Sequence, residues 1–339
     1  MKKTQITDQM HADDVAAIDE LRSVYDQLKQ ELAKIIIGQE QVIEHLAICL
    51  FSRGHALLMG VPGLAKTLLV SRFAEMMMLQ FSRIQFTPDL MPMDITGTDI
   101  LQEAPGSKRE FEFAKGPLFA NIILADEINR APSKTQAAML EAMQEYKVTV
   151  IGRTYHLELP FFVLATQNPI EQEGTYPLPE AQLDRFMFMI EVDYPARLEE
   201  IEIARTTTGV SLPSLDHVLT GDRVLAFQDL VRRVPVPEHI YEFAVDLARG
   251  TRPKSDESPD WLKPLVAWGA GPRASQYLIL GAKARAALTG SYMARLEDVM
   301  AVAEPVLVHR VITSFTAESE NITSRDIVSR LVEELREEG

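Results

Sequence analysis

Gly60-Val61-Pro62-Gly63-Leu64-Ala65-Lys66-Thr67 follows an apolar segment with strand character, His55-Ala56-Leu57-Leu58-Met59, and leads into one with helix character, Leu68 to Met78. A strand, a glycine-bearing turn and a helix in that order are the setting a phosphate-binding loop requires. Small residues let successive backbone N–H groups turn toward one anion, and the helix N-terminus adds its positive dipole end. Lys66 can then reach the β- and γ-phosphates, and Thr67 offers a hydroxyl to Mg²⁺. The stretch predicts binding of a nucleoside triphosphate. The general pattern places glycine directly before the lysine, and this chain has Ala65 there. The loop is therefore weighed with its surroundings, against the plain alternative of a turn that binds nothing.

Downstream, the apolar run Asn121-Ile122-Ile123-Leu124-Ala125 has the composition of a buried parallel strand and delivers Asp126 and Glu127 at its C-terminal end. Asp126 is suited to hold Mg²⁺ through water, and Glu127 to orient and polarise an attacking water. A third apolar strand, Phe161 to Thr166, ends in Gln167-Asn168-Pro169, where the Asn168 amide could hold that water from the other side. Asn-Pro also starts turns. The segment Leu178-Pro179-Glu180-Ala181-Gln182-Leu183-Asp184-Arg185-Phe186 then sets an arginine beside the apolar strand Met187 to Val192. In Gly269-Ala270-Gly271-Pro272-Arg273-Ala274-Ser275 a helix starts with Pro272 near its first position and Arg273 in its first turn. A cation there opposes the helix dipole, and a bound phosphate would offset the cost.

Over roughly residues 35 to 310, these motifs resemble the MoxR group of AAA+ ATPases, in the branch with an insert in helix 2 that includes magnesium-chelatase and replicative-helicase ATPase subunits. The resemblance implies that Gly60, Val61, Pro62, Gly63, Leu64, Ala65, Lys66 and Thr67, continued by Leu68, form the Walker A motif, with Ala65 matching the family's own variant. It implies Walker B at Asp126 and Glu127, with Ile128-Asn129-Arg130-Ala131-Pro132 similarly characteristic, and Mg²⁺ held by Thr67 and Asp126, partly through water. It further implies sensor 1 at Asn168, an arginine finger for a neighbouring subunit at Arg185, sensor 2 at Arg273, and Ile37-Gly38-Gln39 beside the adenine. Arg130 is a rival trans-acting arginine, and Arg185 is preferred. Met93 departs from the serine expected in Leu90-Met91-Pro92-Met93-Asp94-Ile95-Thr96-Gly97, so no detailed role is carried over to that loop.

The fold expected is α/β: a P-loop NTPase (AAA+) parallel sheet flanked by helices, with ligands at the strand C-terminal ends, followed by a smaller all-α lid. Residues 1–195 would hold an N-terminal helix and the nucleotide-binding domain, and residues 196–339 the lid, with helices over Tyr241–Arg249, Ser275–Leu288 and Leu296–Ile312. Val15, Ile18, Leu21, Tyr25, Leu28, Leu32 and Ile35 recur at helical steps and predict a helix docked on the core. Residues 251–260 read as a surface loop, and Met76-Met77-Met78 as core packing. Two hairpins interrupt the αβ pattern. One pairs Thr98–Glu103 with Lys108–Phe113 about Ala104-Pro105-Gly106-Ser107; the other pairs Lys147–Val150 with Tyr155–Leu159 about Ile151-Gly152-Arg153-Thr154. By resemblance they are the helix-2 insert (about 95–117) and the pre-sensor-1 hairpin (about 147–159), facing the ring channel or a partner.

The net charge is −15 and no basic stretch can neutralise a row of phosphates, which argues against a nucleic-acid motor and favours protein clients. The single Cys49 excludes an internal disulfide and reads as a buried apolar residue, and the seven histidines show no ligand spacing. With no signal core at the N-terminus and no apolar run long enough to cross a membrane, a cytoplasmic location is expected. The reading is a Mg²⁺-dependent ATPase, by resemblance a ring and most often a hexamer, that remodels or matures a protein target. The resemblance also implies a partner with a von Willebrand factor A domain. The alternatives are a nucleotide-gated binding module, in which turnover is incidental, and the ATPase subunit of a metal-inserting chelatase.

Overall fold

The computed structural model describes residues 12–61, 63–103, 109–170, 174–208 and 213–338. Two helices, α1 (Ala12–Ala33) and α2 (Glu40–Phe51), precede β1 (Ala56–Met59), from which the glycine-bearing loop leads into α3 (Lys66–Met76). Next come β2 (Phe81–Gln85), the one-turn α4 (Pro92–Thr96), a ribbon of β3 (Gly97–Glu103) and β4 (Arg109–Lys115), then β5 (Ile122–Asp126) and α5 (Ser133–Glu145). A second ribbon of β6 (Lys147–Val150) and β7 (Arg153–His156) is followed by β8 (Phe162–Gln167), the short α6 (Glu180–Leu183) and β9 (Phe188–Glu191). The remainder is mostly helical: α7 (Arg197–Thr207), α8 (Gly221–Arg233), α9 (Glu238–Gly250), α10 (Pro272–Thr289), α11 (Leu296–Leu307), α12 (Phe315–Ser319) and α13 (Ser324–Glu338). It also carries a small antiparallel ladder, β10 (Val266–Trp268) with β11 (Ile312–Thr313).

The main sheet runs β2-β5-β8-β1-β9 with every pair parallel. Its strands are apolar on both faces, because alternate residues enter different cores. Ala56, Leu58, Ile122, Leu124, Phe162 and Leu164 face a core shared with α1, α2, α3, α8 and α10. Leu57, Ile123, Ala125, Val163 and Ala165 face a second core under α5. The N-terminal helix docks as its periodicity predicts, with Ile18, Leu21, Leu28 and Leu32 fully buried. It lies on helices of the C-terminal half, where Arg233 pairs with Asp14, Arg223 with Glu20, and Tyr292 donates to Asp19. Small residues along α10 (Ala274, Gly281, Ala282, Ala286) let neighbours approach closely; a Cβ on Gly281 would stand 3.2 Å from Val302.

Some expected boundaries move. The helix after the phosphate loop ends at Met76; Met76 and Met77 are buried, but Met78 turns out at positive φ and is 63% exposed, so it does not pack in the core. The helix expected to reach Ile312 stops at Leu307, and Ile312 instead pairs in the β10–β11 ladder. In the second ribbon only Ile151 and Gly152 turn, both at positive φ as a tight two-residue turn needs, so Arg153 and Thr154 belong to β7 rather than to the turn. The first ribbon extends to Lys115, and its expected turn, Ala104 to Ser107, lies outside the described residues. Phe113 of one ribbon stacks on Tyr155 of the other, ring centroids 4.0 Å apart, and Phe119 meets both edge-on.

Candidate nucleotide site

Parallel strands carry their C-terminal ends to one edge of the sheet, and there the β1–α3 loop, the tip of β5 and the tip of β8 enclose a cleft of about 520 Å³. Gly60, Gly63, Leu64, Ala65, Lys66, Thr67 and Leu68 line it, with Asp126, Glu127 and Asn168 opposite. Val61 lines an adjoining cleft against Val192 and Tyr194, and Pro62 lies outside the described residues. Gly63 has φ +90 and nothing within 4 Å of where a Cβ would stand, so its outer face is open to an incoming group. A Cβ on Gly60 would come within 2.6 Å of the Val192 carbonyl oxygen, which holds the loop tight on β9. Ala65 caps α3 in the left-handed region, at φ 54, which gives a backbone reason for the glycine of the general pattern.

Lys66 Nζ donates to the Gly60 carbonyl at 2.5 Å, across the mouth of the loop. Burial pulls its ammonium below the ordinary value, while Asp126 and Glu127 pull the other way. The two acids are individually tethered. Asp126 Oδ1 accepts from Thr166 Oγ1 at 2.6 Å, and its Oδ2 accepts from Arg83 Nε and Nη2 at 3.0 and 2.5 Å. Glu127 sits in the left-handed region, its N–H bonded to Thr166 Oγ1 at 2.9 Å. Its Oε2 accepts from Gln85 Nε2 and Arg130 Nη1, both at 2.9 Å. Asn168 is buried at the tip of β8, and its Oδ1 accepts from the Ile170 N–H at 3.1 Å. It thus acts as the turn starter its sequence allows while also lining the cleft.

Ile37, Gly38 and Gln39 line a separate hollow of about 560 Å³ between α1 and the start of α2. Gln39 Nε2 donates to the Leu64 carbonyl at 3.2 Å and so joins that hollow to the phosphate loop, while its buried Oε1 has no partner among the described residues. An acceptor of this kind beside a hollow suits a ligand with an amino group.

Arg185 and Arg273 are not in this cleft. Arg185 precedes β9, where Met187 N–H bonds the His55 carbonyl, and so stands at the opposite edge of the sheet; four residues of β1 from His55 to Met59 separate the two levels, roughly 13 Å. Its half-buried side chain has no hydrogen bond or ion pair among the described residues. Arg273, in the first turn of α10, bonds Asp184 Oδ2 at 2.7 Å, next to Arg185. Asp184 Oδ1 accepts from Arg310 Nε at 2.8 Å. The two arginines form a second cluster, at the far edge of the sheet from the loop. Sequence reasoning passed over Arg83, Gln85, Thr166, Asp184 and Arg310. The alternation of Arg83 and Gln85 on one face of β2 was the available signal for the first two.

Chemically, the cleft can cradle a polyphosphate on backbone amides and Lys66, present Thr67 and Asp126 to a divalent cation, and hold Glu127 beside the terminal phosphate. Among the described residues, no helix is long and apolar enough to cross a membrane.

Known proteins share this organisation. Residues 55–188 match the family described as ATPase family associated with various cellular activities (AAA), and residues 261–331 match the AAA lid domain. The chain is 43% identical to Chaperone MoxR1 of Mycobacterium tuberculosis, over 89% of this chain and 79% of that protein. It is 30% identical to Protein MoxR of Methylorubrum extorquens, over 87% of this chain and 90% of the relative. A crystal structure of an ATPase candidate from Cytophaga hutchinsonii superposes with a TM-score of 0.87 at 40% identity, covering 94% of this chain and 96% of that one. Identity at this level along nearly the whole chain, joined to a cleft equipped for a nucleoside triphosphate, makes this protein a member of the MoxR family of AAA+ ATPases.

Proposed function

We propose that the protein hydrolyses ATP with Mg²⁺ in a head-to-tail ring, a hexamer by family resemblance, and uses the cycle to remodel or mature protein complexes as a chaperone. The observation that carries this reading is the separation of parts: a cleft that holds Lys66, Thr67, Asp126, Glu127 and Asn168, and two arginines, Arg185 and Arg273, on the far edge of the same sheet. Arginines that act on a phosphate but cannot reach their own cleft must act on a neighbour's, and heterologous contacts that close form rings.

Within the cleft, Lys66 holds the β- and γ-phosphates and the loop amides fix the chain of phosphates. Thr67 and Asp126 would hold Mg²⁺, partly through water, and the ion supplies neutralisation of charge between the phosphate oxygens. The residues fit that ion: Asp126 is already drawn toward a cation, Arg83, that a metal would displace. Glu127 must part from Arg130 and Gln85 to orient and polarise the attacking water, which Asn168 holds from the other side. Ile37, Gly38 and Gln39 hold the base. The division follows: residues 1–195 as the nucleotide-binding part, with 95–117 and 147–159 as inserts, and residues 196–339 as the lid. A client with a von Willebrand factor A domain and a cytoplasmic setting complete the proposal, on the family resemblance and on the relative named a chaperone.

The test is ATP hydrolysis against protein concentration, with molar mass read by light scattering. Arg185→Ala should lower the rate by about 10³-fold or more while ATP binding survives, as loss of an arginine finger does. Activity that is independent of assembly and indifferent to Arg185 would leave a self-contained nucleotidase.

A further inference from the structure

The reading that Arg185 and Arg273 serve a neighbour's nucleotide leaves open what aims them, and the cluster beneath them answers it. Arg310 follows α11, its side chain 2% exposed, and apart from Val306 and His309 of its own segment its hydrogen-bond partners among the described residues are Asp184, Phe186 and Met187, on either side of Arg185. Its Nε bonds Asp184 Oδ1; Nη2 bonds the carbonyls of Asp184 at 2.9 Å and Phe186 at 2.7 Å. Nη1 bonds the carbonyls of Met187, at 3.3 Å, and Val306. Tyr277, under the Arg310 guanidinium at 5.1 Å, donates to the Arg185 carbonyl at 3.3 Å. The main chain on both sides of Arg185 is thus clamped by a buried cation from the helical half.

A buried guanidinium persists only when its charge and donors are matched, and Asp184 is its counter-ion. The same carboxylate spends its other oxygen on Arg273. That single bond holds one corner of the Arg273 guanidinium, which is 37% exposed, and leaves its remaining N–H groups without a recorded partner among the described residues.

We infer that Asp184 and Arg310 are positioning residues for the trans-acting arginines: Arg310 fixes the backbone that presents Arg185, and Asp184 orients Arg273 while neutralising Arg310. Neither touches the nucleotide of its own subunit. Their loss should lower turnover and leave ATP affinity alone.

Asp184→Asn keeps the shape and removes the charge. The expected result is a subunit that binds a fluorescent ATP analogue with unchanged Kd and loses about 10- to 100-fold in kcat, the scale on which small misplacements act. The decisive measurement mixes it with Glu127→Gln. In a shared-site ring, the intact cleft of the Asp184→Asn subunit meets the intact arginines of the Glu127→Gln subunit. Equal mixing should then restore about a quarter of the wild-type rate, because random head-to-tail contacts pair sound halves at that frequency. Arg185→Ala mixed with Glu127→Gln is run beside it. If that pair recovers and the Asp184→Asn pair does not, or if Asp184→Asn alone turns over normally, the positioning role is wrong and the shared site stands. If neither pair recovers, the shared-site reading falls first. Should Asp184→Asn fail to give a folded subunit that binds the analogue, Arg310→Lys, which keeps the charge but loses the fork, carries the same test with the same outcomes.

Discussion

On the proposed reading, in which Asp126 takes Mg²⁺, Arg83 is the cation that the metal would displace, and removing it should sharpen the response of the protein to Mg²⁺. Its guanidinium places two N–H groups on one oxygen of Asp126, which is 14% exposed, while Arg83 itself is 48% exposed. Two unit charges about 4 Å apart interact by roughly 1 kcal/mol in water and 4 kcal/mol near a protein surface. With Arg83 half in solvent the lower end applies, so the pair contributes about 1 kcal/mol. Arg83→Ala frees that oxygen, and the Mg²⁺ concentration for half-maximal effect should fall about fivefold, the factor that such an energy represents. The same loss of a cation should weaken binding of metal-free ATP. The assay is fluorescence of an ATP analogue titrated with Mg²⁺ at fixed nucleotide, with metal-free binding as the companion curve. A half-saturation point that stays put or rises would mean that Arg83 grips the phosphates and does not compete with the metal, and the reasoning would fail.

Two further outcomes concern stability. Ala65→Gly should raise it by about 1 kcal/mol, since the left-handed backbone at φ 54 costs an alanine about that much and a glycine nothing; thermal unfolding with an unchanged or lower midpoint would count against it. Burial pulls His45 and His55 from 6.5 down to about 4; nearby Arg285 adds to this for His45, and the bond to the Met143 carbonyl opposes it for His55. A base with a depressed folded value takes its proton first in the unfolded chain, so stability is full above about pH 6.5 and falls toward pH 4, by on the order of 1–3 kcal/mol for each histidine. Urea unfolding at pH 7.5 and pH 5 measures this, and the slope should flatten in His45→Gln; an equal slope in that variant would assign the loss elsewhere.

What was legible in the chain was whatever a local pattern encodes. The apolar runs before Gly60, Asp126 and Gln167 are central strands buried on both faces, so their ends could be read directly as one edge of a sheet. Gly60 has a backbone reason for its place, whereas at Ala65 the left-handed backbone favours the glycine of the general pattern, and that departure could be seen in the chain. Strand β2 escaped notice because it lies at the sheet edge and alternates polar with apolar residues, which leaves no run to find. Asp184 and Arg310 are 126 residues apart, and no spacing rule connects an acid just past a short helix with an arginine that looks like any other. Met78 and the early end of α11 were missed for one reason: composition continued while the backbone turned, at positive φ after Met77 and into a ladder at Ile312.

The stacked rings of Phe113 and Tyr155 set how many independent parts this protein can move. The two ribbons leave the sheet from different crossovers, one between β2 and β5, the other between β5 and β8, and each alone is a slender two-stranded arm. Face-to-face contact at 4.0 Å welds the arms near their roots, and Phe119 wedges the joint. Since α5, which begins just past Glu127 and Arg130, runs directly into β6, a shift at the acid tip of β5 reaches one arm through the chain and the other through the weld. In the proposed ATP cycle the two arms would then move as one body.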